Sequence, residues 1–142
     1  MILGIDPGAN TGVAEFVSGQ LTSLDTIEPH ELERLLRAKR PGRVVFEDSR
    51  LQSHAWNART KASKGSALAT ARSLGQVDAW CRLIVAICAE LGITAHGISP
   101  KKKGKKLDAQ QFAKVTGWTA KSNEHCRDAA MVAWPYRGAR HE

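Results

Sequence analysis

Residues 1–16 read MILGIDPGANTGVAEF, and the fold follows from how this stretch is read. Ile2 to Ile5 form a short apolar run with β-branched content, the length of a buried strand. It ends on Asp6, and Pro7 and Gly8 follow as a turn signal. Thr11 to Phe16 resume a strand pattern, so Pro7 to Asn10 are expected to connect a hairpin. A carboxylate at the end of a buried strand is costly without a partner. Two readings of Asp6 stay open: a side chain that caps the turn, or a hard oxygen ligand for a cation such as Mg²⁺.

Outward from this hairpin, Gly19 and Gln20 mark a second turn, and Leu21 to Ile27 read as a third strand, completing an antiparallel meander. Pro29 suits the first turn of a helix whose buried stripe is Leu32, Leu35 and Leu36, and Pro41 and Gly42 stop it. Arg43 to Phe46 give a fourth strand that also ends on acids, Glu47 and Asp48. Strand alternation sends those two side chains to opposite faces, so only one of them can share a site with Asp6.

Residues 49–65, SRLQSHAWNARTKASKG, lack periodicity and carry Arg50, Arg59, Lys61 and Lys64 around the single aromatic Trp56. A basic loop with an exposed ring suits a nucleic-acid contact, and a tether whose Trp56 packs on the body is the alternative. The longest helix is expected from Ser66 to Leu91. Its stripe Val77, Cys81, Ile84, Cys88 and Leu91 is flanked by a second, Trp80, Leu83 and Ile87. Together they cover more than the single core-facing stripe of a surface helix. Such a helix is sandwiched in one core or shared with a second copy; Val77, Cys81, Ile84 and Cys88 are assigned to the partner, with the Trp80 stripe as the alternative partner-facing side. Ile93 to Ile98 form a fifth strand, and Lys101, Lys102, Lys103, Lys105 and Lys106 follow within six positions. Like charges so close face solvent or a polyanion. A helix over Leu107 to Val115 and a last one, capped by Ser122 or Asn123 and broken by Pro135, complete the chain.

The charge distribution sharpens this. Residues 1–33 hold six acids and no Lys or Arg, so the rest of the chain carries all 21 basic residues against 8 acids. That asymmetry points to nucleic acid rather than a uniformly solubilised surface. A length of 142 residues suits one domain. No segment reaches the length of a membrane span, and no basic stretch precedes the first apolar run, so neither a membrane segment nor a signal peptide is expected. Cys81 and Cys88 stand seven residues apart on one helix, roughly 10 Å, too far for a disulfide, and Cys126 is the only other cysteine. A reduced, cytoplasmic protein is expected.

The last helix contains SNEHCRDAAMVAW. Asp128 sits where its polar start meets the apolar part, with Glu124 and His125 four and three residues earlier and so able to share its face. Ala129, Ala130 and Ala133 permit close approach to a sheet. Acids from the first strand, the fourth strand and the last helix can then meet at one sheet edge. Oxygen-rich sites of this kind hold two Mg²⁺ ions in phosphoryl-transfer enzymes.

ILGIDPGANTG, VVFED, ATARSLGQVDAW, SPKKKGKK and HCRDAAMVAW, in this order, resemble the RuvC family of Holliday-junction resolvases, with the short length of its compact phage-type members. The resemblance spans essentially the whole chain. It implies an α/β, RNase H-like fold with a five-stranded mixed sheet flanked by helices, two Mg²⁺ ions, a homodimer, and paired nicking of a four-way DNA junction. Carried over, it makes Asp6, Glu47 and Asp128 catalytic metal ligands, with His125 at the fourth position, where family members have an acid or a His. An imidazole suits Mn²⁺ better than Mg²⁺, so Mn²⁺ is expected to substitute. Lys101 to Lys106 match the family's basic residues collectively, Lys103 and Lys106 best. Where the family has an aromatic wedge this chain has Arg50 and Leu51, with Trp56 as the candidate replacement. Two rivals stand beside this reading. One is a YqgF-like nuclease that trims ribosomal RNA precursors, the other a module that binds branched nucleic acid without cutting it.

Overall fold

Strand β1 (Ile2–Asp6) pairs antiparallel with β2 (Thr11–Val17), Asp6 lying opposite Gly12. The turn between them is closed by Thr11, whose hydroxyl donates to the Gly8 carbonyl at 2.7 Å. Ser18 and Gly19 both have positive φ (51° and 78°), the conformation that lets a two-residue turn match strand twist, and the chain returns as β3 (Gln20–Ile27). This computed structural model describes residues 1–52, 64–102 and 104–138, and residues 64–67 by their backbone alone. Trp56, Arg59, Lys61 and Lys103 therefore lie outside the described residues, as does the side chain of Lys64.

A 3₁₀ turn at Pro29–Glu31 leads into α1 (Leu32–Lys39), which ends where Arg40 turns left-handed at φ 43°. Strand β4 (Arg43–Glu47) then pairs parallel with β1. Helix α2 (Lys64–Leu91) crosses back to β5 (Thr94–Ile98), which pairs parallel with β4. The sheet runs β3-β2-β1-β4-β5, five strands of mixed direction, as expected. Beyond it come α3 (Ala109–Thr116), α4 (Glu124–Ala133) and a final 3₁₀ turn at Trp134–Tyr136. Asn123 caps α4: its side-chain oxygen accepts from the Cys126 amide at 3.0 Å, while its Nδ2 donates to Thr26 of β3 at 2.8 Å. The cap thus fixes the helix start over the sheet.

Alternation along the strands divides the core into two layers. Leu3, Ile5, Val13, Val44 and Phe46 point to the face covered by α1 and α2. Ile2, Ala14, Phe16, Val45 and Ile98 point to the other, covered by Phe112 of α3 and Ala129, Ala130, Val132 and Ala133 of α4. Burying each large aliphatic or aromatic side chain contributes roughly 1.5–3 kcal/mol, so both layers are needed to hold a chain of this size. All three cysteines are buried free thiols, and burial pushes that of Cys88 up to about 11.

Helix α2 corrects one expectation. Cys81, Ile84 and Cys88, assigned to a partner, are 0–1% exposed and pack on the chain's own sheet. A parallel crossover lays its helix flat against the strands it connects, so the widest part of the apolar surface goes inward. What faces outward instead is Leu68, Gly75, Ala79, Leu83 and Ala86, on the opposite side of the helix. No helix among the described residues is long and apolar enough to cross a membrane.

Candidate active site

Ile5 of β1 stands opposite Phe46 of β4, so the next residues, Asp6 and Glu47, end neighbouring parallel strands side by side. Both continue the alternation of Gly4 and Val45, which puts them on the face covered by α4. Helix α4 lies unusually close to that face. A Cβ on Gly4 would overlap the Ala129 carbonyl oxygen and come within 2.9 Å of the Ala133 side chain. A Cβ on Gly12 would overlap the His125 carbonyl oxygen. Two glycines in β1 and β2 therefore seat the helix, and the seat carries Asp128, 7% exposed, to the ends of β1 and β4.

The result is an open cleft of about 420 Å³ lined by Asp6, Glu47, Asp128, His125, Glu124 and Lys106, and by the Pro7–Asn10 turn. The four residues expected to act together are thus gathered from three elements, and Glu124 joins them. His125 Nε2 stands 3.9 Å from Glu124 Oε1. Lys106 Nζ lies 3.5 Å from Asp128 Oδ2. It is held there because Arg127 of α4 donates from Nε to the Leu107 carbonyl at 3.1 Å and from Nη1 to Ser122 at 3.0 Å, pinning the lysine-rich segment to the helix.

Three carboxylates form a hard oxygen donor set that suits Mg²⁺, and the imidazole adds a donor Mn²⁺ accepts more readily. Among the described residues no three such donors are set closely enough to hold an ion as they stand. Coordination therefore requires these side chains to converge from the cleft walls. The chemistry of the donors fits such an ion.

Asp48 takes the opposite face, as alternation requires. It is 4% exposed and sits over Gly97 of β5, where a Cβ would come within 2.9 Å of its carboxylate. Arg50 satisfies it with a two-pronged pair, Nε to Oδ1 at 2.9 Å and Nη2 to Oδ2 at 2.8 Å. Those hydrogen bonds hold the Asp48 carboxyl below the usual range, against the effect of burial. Arg50, expected to meet nucleic acid, thus has one edge of its guanidinium committed to Asp48. Next to it, Ser49 donates to Asp78 of α2 at 2.5 Å, tying the segment after Glu47 to the long helix.

Lys101, Lys102, Lys105 and Lys106 are all exposed, as a run of like charges must be. Of the described lysines Lys106 reaches the acid cleft; Lys102 and Lys105 border a second cleft beyond Asp128, together with Trp134 and Tyr136. Sequence reasoning assigned no role to those two aromatics. The signal was the WPY triplet, in which Pro135 stops the helix and turns rings out of it.

No protein-family model matches the chain, and no curated protein matches it. Among solved structures, T. thermophilus RuvC in complex with a Holliday junction substrate is similar over 94% of this chain and 89% of that one, with a TM-score of 0.62 and 15% identity. At that identity the likeness speaks for the fold alone. The five-stranded mixed sheet flanked by helices is the RNase H-like fold of that neighbour.

Proposed function

We propose that this chain is a divalent-metal-dependent endonuclease that acts on branched DNA, resolving four-way junctions by paired nicks as a homodimer. The observation that carries this reading is the meeting of Asp6, Glu47 and Asp128, from two strands and a helix, in one cleft beside Lys106. Three acids facing a phosphodiester repel it unless cations intervene, so a purely binding module has no use for them. The excess of basic residues beyond residue 33 and the fold shared with a junction-bound RuvC support DNA as the polyanion.

Asp6, Glu47 and Asp128 would hold two Mg²⁺ or Mn²⁺ ions, which would supply Lewis acidity and activate a water for displacement at phosphorus. The chain's own residues do the rest. Asp6 and Glu47 are fixed by strand pairing, and Asp128 by the seating of α4 on Gly4 and Gly12. His125, one turn before Asp128, supplies the fourth donor, and Lys106 offers its ammonium to the substrate phosphate. Paired nicks need two sites related by symmetry. The outward face of α2, Leu68, Gly75, Ala79, Leu83 and Ala86, is the surface for the second copy.

The test is cleavage of a synthetic four-way junction beside a linear duplex of the same sequence and a structured RNA, with Mg²⁺, with Mn²⁺ and with chelator. The reading expects metal-dependent paired nicks in the junction and little cutting of the other two. Preferential cutting of the RNA would favour the ribosomal-RNA type of nuclease. Tight junction binding with no cleavage under any ion would favour the binding module.

A further inference from the structure

Across Asp128 from the acid cleft lies a second cleft of about 220 Å³. Ile98, Met131, Trp134 and Tyr136 form its apolar walls, and Lys102 and Lys105 stand on it as cations. Asp128 lines both clefts, so whatever fills the second lies next to whatever is bound by the three acids. The Trp134 ring is braced, tilted against Phe16 at 6.1 Å and overlaid by the Arg137 guanidinium at 3.7 Å. Tyr136 is half-buried and packs edge-on against His96 at 4.7 Å. Both rings are therefore held in place before any ligand arrives.

Fixed aromatic rings beside exposed lysines are the combination that recognises a nucleotide: the base stacks, the phosphate meets the cation. A purely apolar ligand would leave the lysines unused, and a small anion would leave the rings unused. The volume is below the roughly 300–1,000 Å³ of clefts that enclose a drug-sized molecule, which matches a single planar base. We propose that this second cleft receives one unpaired nucleotide of the DNA substrate, its base against Tyr136 and Trp134 and its phosphate at Lys102 and Lys105, directly beside the phosphate bound at the acid cleft. This rests on the nuclease reading above and adds a basis for selectivity. Drawing a base out of a duplex costs a few kcal/mol, and least where it is already unpaired. A branch point interrupts the stacking of its base pairs, so a base is drawn out there at lower cost than from an intact duplex, and the cleft favours the branch.

The experiment uses Asp6→Asn protein, expected to bind junction without cutting it, and junctions carrying one abasic nucleotide at successive positions either side of the cut phosphate. One position is expected at which loss of the base weakens binding about fivefold or more, the scale of one base–aromatic stack. At that position Tyr136→Leu should cause no further loss, while Tyr136→Phe should keep the wild-type sensitivity. The proposal is overturned if no abasic position weakens binding, a result that needs no Tyr136 variant to fold. It is also overturned if the Tyr136→Leu and abasic losses multiply as independent effects. Wild-type cleavage of the intact junction separates the two readings. A junction that is cut without this coupling removes the nucleotide cleft alone. Coupling without any cleavage removes the nuclease reading alone.

Discussion

Gly12 of β2 lies directly against the carbonyl of His125 in α4, and a Cβ at Gly12 would overlap that oxygen. This contact sets the height of α4 above the sheet, and with it the depth at which Asp128 stands beside Asp6. The obstacle is backbone rather than the tip of a flexible side chain, so it cannot swing away. Gly12→Ala should therefore cost about 1–3 kcal/mol in denaturant unfolding, the range for overpacking a close contact, and should lower cleavage as α4 is lifted. Unchanged stability would mean that α4 is not seated on this glycine.

The Lys106–Asp128 pair is exposed on its lysine side and contributes little to folding. Its expected role is electrostatic. Lys106→Ala should leave stability within about 0.5 kcal/mol and reduce the salt dependence of junction binding by about one phosphate contact. It should also lower the Mg²⁺ concentration needed for half-maximal cleavage, because the ion no longer competes with an ammonium at Asp128.

Asp48 and Arg50 give a pH-dependent prediction. Hydrogen bonds from Arg50 lower the Asp48 carboxyl below its value in the unfolded chain. The stability this contributes is present above about pH 4 and is lost as pH falls through the folded value. Arg50→Ala takes the guanidinium away from a buried carboxylate that keeps the residue 50 backbone N–H, and should cost about 1–3 kcal/mol at neutral pH. The gap to wild type should narrow as the pH is taken below about 4. Because Asp48 faces away from the acid cleft, Asp48→Asn should retain cleavage.

The two faces of α2 make opposite predictions. Ile84, 1% exposed, belongs to the core, so Ile84→Glu should unfold the subunit. Leu83, 43% exposed, faces outward, so Leu83→Glu should leave the melting temperature nearly unchanged. Sedimentation of the Leu83 variant should show monomers where the wild type pairs, and paired nicks should become single ones. A wild type that stays monomeric on its junction would remove the dimer.

How much of this the sequence carries differs from element to element. β1 and β4 are legible because short apolar runs end abruptly on Asp6 and on Glu47–Asp48, and pleat alternation alone separates Glu47 from its neighbour. The last helix is legible from Asn123 at its start and Pro135 after it. The orientation of α2 is not, since apolar residues occupy so much of its circumference that only the crossover decides which side is inward. Gly4 and Gly12 read as ordinary strand glycines until a helix is placed on them. The Trp134–Tyr136 cleft depends on a 3₁₀ turn and on lysines some thirty residues earlier in the chain, a juxtaposition no local pattern encodes.

The central claim is that the three carboxylates cut DNA through bound metal rather than bind it directly. The most direct measurement is junction binding and junction cleavage by Asp6→Asn alongside wild type at several Mg²⁺ concentrations. The account predicts that cleavage is abolished at every Mg²⁺ concentration while binding is retained or tightened, since a negative charge beside the phosphates is gone. Normal cleavage by Asp6→Asn, with or without weakened binding, would contradict it.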